Sequence, residues 1–321
     1  MQPKRKPQII CLMGPTAAGK TQLAVELVAR FGMDIISVDS AMVYRGMDIG
    51  TAKPDAAILQ AAPHRLINIL DPAEAYSAAA FRNDALREIA DIVAHQRIPL
   101  LTGGTMLYFS VLQKGLSKLP AADVALRKRL TADANSQGWD AMHERLKQVD
   151  VTAAARIHPH DAQRIQRALE VHELTGKSLT EWQALEVELL SEYEVINLAV
   201  APADRAVLHA RIAQRFEEML ASGFVDEVRD LFERGDLTLE LPSIRSVGYR
   251  QVWEYLLGQY DYAEMCLKGV AATRQLAKRQ LTWLRQWPTP VEWFDSMAPD
   301  LSEQVVRYLQ EVTPQPPKNA I

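Results

Sequence analysis

An α/β fold is the class this sequence predicts: a parallel-sheet core carrying a glycine-rich phosphate loop (P-loop), with a helical insertion and a helical C-terminal region. Three observations carry that reading. Short, continuous apolar runs recur along the chain and alternate with stretches of helical period, as expected for strands buried on both faces. Two of these runs end in glycine turns that lead straight into helices. The strand-like runs stop after about residue 116 and return at Val195, so one core continues across an inserted segment.

Ile9-Ile10-Cys11-Leu12-Met13 reads as the first buried strand. It runs into Gly14-Pro15-Thr16-Ala17-Ala18-Gly19-Lys20-Thr21, a complete G-x-x-x-x-G-K-T, and then Leu23, Leu27 and Val28 follow at helical spacing. Backbone N–H groups can turn inward around an anion there, and the helix N-terminus adds a favourable dipole. Lys20 brings a mobile positive charge, and the Thr21 hydroxyl can ligate Mg²⁺. The motif implies a polyphosphate without specifying which one. Gly32 closes the helix, and residues 34–39 read as a second strand ending at Asp39, where a parallel sheet faces its ligand crevice. The following DSAMVYRGMDIGTAKP is polar and dense in functional groups, which suits an active-site loop. A third apolar run, 65–70, predicts another strand. Ser77 predicts the cap of a helix to about His95, with Phe81, Ala85, Ile89 and Val93 along its buried stripe. Residues 98–102 form a further strand, followed by Gly103-Gly104-Thr105 and a helix from about Leu107.

Helical stretches are predicted at 123–133, 138–148, 161–175 and 178–191, with Arg127, Lys128, Arg129, Arg156, Arg164 and Arg167 among their charges. Residues 195–200 return as a strand. Asp204 caps a helix with the stripe Leu208, Ile212 and Phe216, and Gly223 and Gly235 punctuate two more. The run 245–250 precedes another helical segment, and 273–287 is a basic helix with two tryptophans. The tail from Pro314 reads as disordered. The domain boundaries this implies are 1–115 with 195–321 for the core and 116–194 for the helical insertion.

The 321 residues are 48% hydrophobic and 24% charged, an ordinary composition for a soluble globular protein. A net charge of −4 confines any nucleic-acid surface to a local patch. Cys11 and Cys266 form no disulfide framework, and no Cys/His group has zinc spacing; His158 and His160 read as loop residues. The basic MQPKRKPQ start lacks an apolar leader core, and no run of about 18 apolar residues could span a membrane. A cytoplasmic setting fits these features.

The residues assembled so far resemble the bacterial tRNA isopentenyltransferase family, the tRNA dimethylallyltransferases. The resemblance rests on GPTAAGKT, DSAMVYRGMDIGTAKP, GGTMLY, IHPHDAQRIQRALEV, RSVGYRQ and TRQLAKRQLTWLR, in the family's order and over most of the chain to about Trp287. The P-loop alone is unspecific; the second and last motifs together are highly specific. Met42 stands where many members have Gln, Asn68 where Asp is common, and the C-terminal zinc finger of eukaryotic relatives is missing.

The resemblance implies transfer of a dimethylallyl group from dimethylallyl diphosphate to N6 of adenosine 37 in tRNA, with release of pyrophosphate. Residues 14–21 would hold the diphosphate, with Lys20 and a Thr21-bound Mg²⁺ neutralising it. Asp39 would be the base, with Thr105 and Arg127 near the reacting centre. Asp39 as a structural helix cap or a Walker-B-like Mg²⁺ ligand remains open. The tRNA contacts implied are Asp39-Ser40-Ala41-Met42, Gln163-Arg164-Ile165-Gln166-Arg167, Arg245-Ser246-Val247-Gly248-Tyr249-Arg250 and Lys278-Arg279-Gln280-Leu281-Thr282-Trp283-Leu284-Arg285. An adenine in an anticodon stem-loop must leave its stack to react there. A monomer with no membrane partner is expected. The rival readings are a P-loop small-molecule or nucleoside kinase, an RNA-binding module with a nucleotide switch, and an enzyme that prenylates free AMP.

Overall fold

The computed structural model describes residues 6–114, 119–120, 122–184 and 190–313. It divides into two compact units, Met1–Leu112 with Leu190–Ile321, and Gln113–Leu189. The first unit begins with β1 (Gln8–Met13), α1 (Lys20–Phe31), β2 (Met33–Val38), α2 (Ala56–Ala61), β3 (His64–Arg65), α3 (Ala78–Ala94), β4 (Ile98–Gly103) and α4 (Met106–Lys114). The second unit holds α5 (Val124–Gln137), α6 (Trp139–Val149), α7 (Val151–Arg156), α8 (Ala162–Thr175) and α9 (Leu179–Gln183). The first unit resumes with β5 (Glu194–Ala201), α10 (Arg205–Ala221), α11 (Phe224–Glu233), α12 (Tyr249–Leu256), α13 (Tyr262–Arg285), β6 (Glu292–Asp295) and α14 (Leu301–Val312).

The strands form one six-stranded sheet, parallel throughout, in the order β3-β2-β4-β1-β5-β6. Every residue of β1 is buried, which is why its run is continuously apolar. Side chains alternate between the two faces. Ile9, Cys11 and Met13 pack with Phe81, Ala85 and Ile89 of α3 and Phe109 of α4. Ile10 and Leu12 pack with Leu23 and Leu27 of α1 and Val305 and Leu309 of α14. Met13 of β1 and Val38 of β2 both pair with Gly103 of β4, so the glycine loop, Asp39 and Gly104 emerge side by side at the carboxyl edge of the sheet. No helix among the described residues is long and apolar enough to cross a membrane.

The expected caps are in place: Ser77 accepts the Ala80 N–H at 3.0 Å, and Asp204 accepts the Ala206 N–H at 2.7 Å. The buried stripe of α3 closes on Ile92 rather than Val93. The expected strand 65–70 is corrected. Only His64 and Arg65 pair with β2, because Leu66 (φ 62) and Asn68 (φ 55) turn left-handed. The rest of the run hydrogen-bonds to the loop after β2 instead, with Ile69 N–H donating to Val43 O at 2.8 Å. The basic helix starts at Tyr262, not near Thr273, because Asp261 caps it through the Glu264 N–H at 2.8 Å. Residues 185–189 and the tail from Pro314 lie outside the described residues, so the end of the expected 178–191 helix and the expected disorder of the tail do too.

In the second unit, Leu130, Met142, Leu146, Ile157, Ile165 and Leu169 form a core of their own. Its most deeply buried charge is Glu170, whose side chain is 0% exposed. Arg127 grips it with Nε–Oε1 at 2.9 Å and Nη2–Oε2 at 3.0 Å, Arg167 adds Nη1–Oε2 at 2.6 Å, and the Asp123 N–H donates at 2.9 Å. These donors hold its carboxyl below the usual range although burial pushes it up.

Candidate functional site

A cavity of about 570 Å³ opens at the carboxyl ends of β1, β2 and β4 in the first unit. Residues 16–21 of the glycine loop, 39–42 after β2 and 103–107 after β4 line its polar side. Ile212, Phe216 and Met219 of α10, Phe224 of α11 and Leu276 of α13 supply apolar surface. A ligand with one anionic end and one hydrocarbon end matches that division.

The glycine loop is a phosphate loop in shape as well as in sequence. Lys20 and Thr21 form the first turn of α1 and line the cavity, so unpaired helix N–H groups face it. The Lys20 ammonium folds across the loop and donates to Gly14 O at 2.9 Å and Pro15 O at 2.8 Å. It keeps surface toward the cavity but is otherwise enclosed. Burial, reinforced by the charge of Arg215, lowers its pKa to about 7, and Asp39 partly opposes the fall. Arg215, on α10, also lines the cavity; burial lowers its pKa too, against the pull of Asp39. Two cations that both feel the Asp39 carboxylate make an anion-seeking centre. Arg215 is a cavity-lining cation that sequence reasoning missed. Its only signal is that it sits between Ile212 and Phe216 of the buried stripe of α10.

Asp39 Oδ1 accepts the N–H groups of Ala41 at 2.8 Å and Met42 at 3.2 Å, so it caps the turn after β2 rather than a helix. Both bonds use Oδ1, and Oδ2 accepts no hydrogen bond from the described residues. Thr105 joins the two turns: its N–H donates to Val38 O at 3.2 Å, and its Oγ1 accepts the Ser40 N–H at 3.1 Å.

The DIGT part of the second motif is held from outside. Glu227 of α11 accepts N–H groups from Asp48 (2.8 Å), Ile49 (2.7 Å) and Gly50 (3.1 Å), and the Tyr249 hydroxyl donates to it at 2.5 Å. A Cβ on Gly50 would stand 2.1 Å from the Phe224 ring, so only glycine permits this approach. Lys53 Nζ donates to Tyr44 O, Asp48 Oδ1 and Asn68 Oδ1 at 2.9, 2.5 and 2.6 Å, so Asn68 keeps the acceptor an Asp would offer. Gly50, Thr51, Ala52 and Pro54 line the cavity, so the Glu227 clamp fixes part of its wall. Glu227→Ala should lower stability by roughly 2–4 kcal/mol, because several part-buried donors lose their acceptor. Glu227→Gln should lose less; denaturant unfolding of both variants checks this.

The residues expected to meet RNA divide by burial. On α13, Lys278, Arg279, Thr282, Trp283 and Arg285 are exposed, and Arg279 and Trp283 line the cavity. Arg245, Ser246 and Val247 line it as well, and Arg250 is exposed but paired with Glu254 at 2.7 Å. Tyr249 (0%), Leu284 (2%) and Gln280 (8%) are buried, Tyr249 and Gln280 on the cavity wall, and Ile165 (0%) is buried in the second unit. Each falls on the inward face of its helix. Gln163 and Arg164 are exposed on α8, while Gln166 donates to Thr131 Oγ1 at 2.8 Å. Arg127 belongs to the second unit, with its guanidinium on Glu170.

The comparisons with known proteins follow this geometry. The family model "IPP transferase" matches residues 42–287. A Coxiella burnetii protein named tRNA dimethylallyltransferase is 56% identical over 308 residues, covering 96% of this chain and 99% of its own length. The chain belongs to the IPP transferase family. A solved tRNA isopentenylpyrophosphate transferase from Bacillus halodurans shares the family's fold with this chain at TM-score 0.70 and 36% identity, covering 96% of each chain. A structure titled as a eukaryotic dimethylallyltransferase acting on tRNA is 24% identical at TM-score 0.81, covering 98% of this chain and 81% of its own, and shows the shared fold alone. The IPP transferase match begins after the glycine loop, so the phosphate loop rests on its own geometry.

Proposed function

We propose that this chain transfers a dimethylallyl group from dimethylallyl diphosphate to N6 of adenosine 37 in tRNA and releases pyrophosphate. The observation that carries the reading is the joining, in one cavity, of a phosphate loop, Lys20, Arg215 and Asp39 to an apolar wall. The relatives' names point to prenyl transfer to tRNA and away from the kinase reading. The diphosphate lies on the phosphate loop with Lys20 and Arg215 against it, and the hydrocarbon lies against Ile212, Phe216 and Met219. The N6 lone pair attacks the allylic carbon. The C–O bond breaks, its electron pair goes to the diphosphate oxygen, and the N6 proton goes to Asp39. The two cations stabilise the charge that builds on the leaving group. Thr105 keeps the turn after β2 in register with that after β4.

The Thr21 hydroxyl and Asp39 Oδ2 are hard oxygen donors of the class Mg²⁺ takes. Among the described residues no group of three or more His, Cys, Asp or Glu could hold a metal, so the diphosphate's oxygens and water would complete the shell. Bound there, Mg²⁺ would add positive charge at the leaving group. The RNA meets the exposed face of α13 and residues 245–247, and the helical unit, which we read as an insertion domain, offers the exposed Gln163 and Arg164 of α8.

Incubation with labelled dimethylallyl diphosphate and Mg²⁺ tests the function. Label should enter unmodified tRNA and neither AMP nor ATP; label in AMP, or in nothing, would overturn it.

Lys20 adds a pH signature. Its pKa in the free protein is about 7, and a bound diphosphate raises it. Above pH 7, binding therefore takes up a proton, and affinity weakens as pH rises, by up to about tenfold per pH unit. Calorimetry of pyrophosphate binding at pH 8 in buffers of different ionisation enthalpy should show close to one more proton taken up by the parent than by Lys20→Arg, whose side chain stays charged.

A further inference from the structure

The turn of α13 that brings Arg279 and Trp283 to the cavity carries Gln280 on its inward side, 8% exposed. Both ends of its amide are engaged. Oε1 accepts the Thr16 N–H at 2.9 Å, and Nε2 donates to Gly104 O at 2.9 Å. Thr16 belongs to the phosphate loop after β1 and Gly104 to the turn after β4, and those two strands are neighbours. One side chain from a helix far along the chain therefore joins the two glycine turns that edge the cavity.

Two further observations indicate that this joint is built. A Cβ on Gly104 would stand 2.4 Å from Nε2, so the bare backbone there is what admits the Gln280 amide. The phosphate loop also holds a non-glycine residue, Ala17, at φ 62, a left-handed conformation that L residues avoid and that needs support from outside the loop. The Thr16 N–H bond is such support, one residue before Ala17.

We propose that Gln280 is a positioning residue for the diphosphate: a strut that sets the phosphate loop and the turn at 103–105 at the spacing the leaving group requires, and not an RNA contact. The inference deepens the prenyl-transfer reading and rests on it for its kinetic arm only. Gln280 touches no reacting atom; it acts through Thr16 and Gly104. Lying one residue from Arg279 on the same helix, it also ties the exposed face of α13 to the diphosphate turns.

Two single variants and their double test it. Gln280→Met keeps the length and removes both hydrogen bonds. Gly104→Ala keeps Gln280 but places a Cβ where its amide sits. Inorganic pyrophosphate affinity is measured by calorimetry without RNA, tRNA affinity separately, and prenyl transfer as a single-turnover rate at saturating substrates. Each single variant should weaken pyrophosphate binding about tenfold and slow the saturated rate by a similar factor, with tRNA affinity within about twofold of the parent. The double variant should lose no more than the worse single, because both break one strut. Thermal melts confirm folding, and if one variant does not fold the other carries the test. Parental pyrophosphate affinity in Gln280→Met with lost tRNA affinity would overturn the proposal and make Gln280 an RNA contact. Additive losses in the double variant would also overturn it. If the parent labels no acceptor, the prenyl-transfer reading falls while the pyrophosphate arm still decides the strut.

Discussion

Lys20→Met should lower the single-turnover rate of prenyl transfer by about 10²–10³ and leave tRNA affinity within a few-fold of the parent. The magnitude is that of removing one preorganised donor from a site where charge develops, roughly 2.7–4 kcal/mol. The ammonium already spans the loop mouth through Gly14 O and Pro15 O, so it reaches a diphosphate without reorganising the backbone. Methionine keeps the length of the side chain and removes its charge. Arg215 remains, which is why the loss stays short of complete. A stability control separates chemistry from folding. The folded-state pKa of about 7 lies below the ordinary 10.5, so the unfolded chain binds more protons between those values and the Lys20 contribution to stability rises with pH there. The Met variant lacks that slope. Relative to the parent it should therefore be more stable at pH 6 than at pH 9 in denaturant unfolding. A normal rate at saturating substrates, or a large loss of tRNA affinity, would remove Lys20 from the leaving-group role.

What the sequence made legible follows from where each property is encoded. The phosphate loop is local: its glycines, lysine and threonine are contiguous, and the strand and helix they need flank them directly. The central strands are legible because a doubly covered strand must be apolar at every position. The run at 65–70 misled for the same reason. It is apolar because Leu66 is buried, but its hydrogen bonds go to a neighbouring loop rather than a strand. The edge strand β6 left no trace, since only Phe294 of its four residues is buried.

The site divides in the same way. Asp39 could be placed because it ends a legible strand. Arg215 could not, because nothing local distinguishes it from a surface arginine; only the packing of α10 beside the phosphate loop gives it a partner in Asp39. Runs read as whole RNA-contacting motifs mix two periodicities. A helix that touches a ligand with one face must bury the other, so Gln280 and Leu284 turn inward while Arg279 and Trp283 face out. Motif identity alone does not separate those faces, whereas the helical period does once the buried side is known.

Asp39→Asn should cut the single-turnover rate by about 10²–10⁴, the contribution of a positioned general base, or roughly 2.7–5.5 kcal/mol. The substitution is unusually clean here. Asp39 caps the turn after β2 through Oδ1, accepting the Ala41 and Met42 N–H groups, and an Asn oxygen still accepts both, though without the added strength of the charge. The loop geometry, and with it tRNA affinity, should hold to within a few-fold. What is lost is the charge and the proton-accepting power of Oδ2. Two other roles for the carboxylate predict different results. As a Mg²⁺ ligand, its loss would be repaired in part by raising Mg²⁺. As a counterion, its loss would act through Lys20: Asp39 now holds the Lys20 pKa up, so Asn would let it fall below about 7 and weaken pyrophosphate binding near neutral pH. Single-turnover rates against Mg²⁺ concentration, with pyrophosphate affinity measured at pH 6 and pH 8, separate the three. A base shows a slow step that neither metal nor lower pH repairs. Recovery at high Mg²⁺ would make Asp39 a metal ligand, and recovery of rate together with pyrophosphate affinity at pH 6 would make it a counterion.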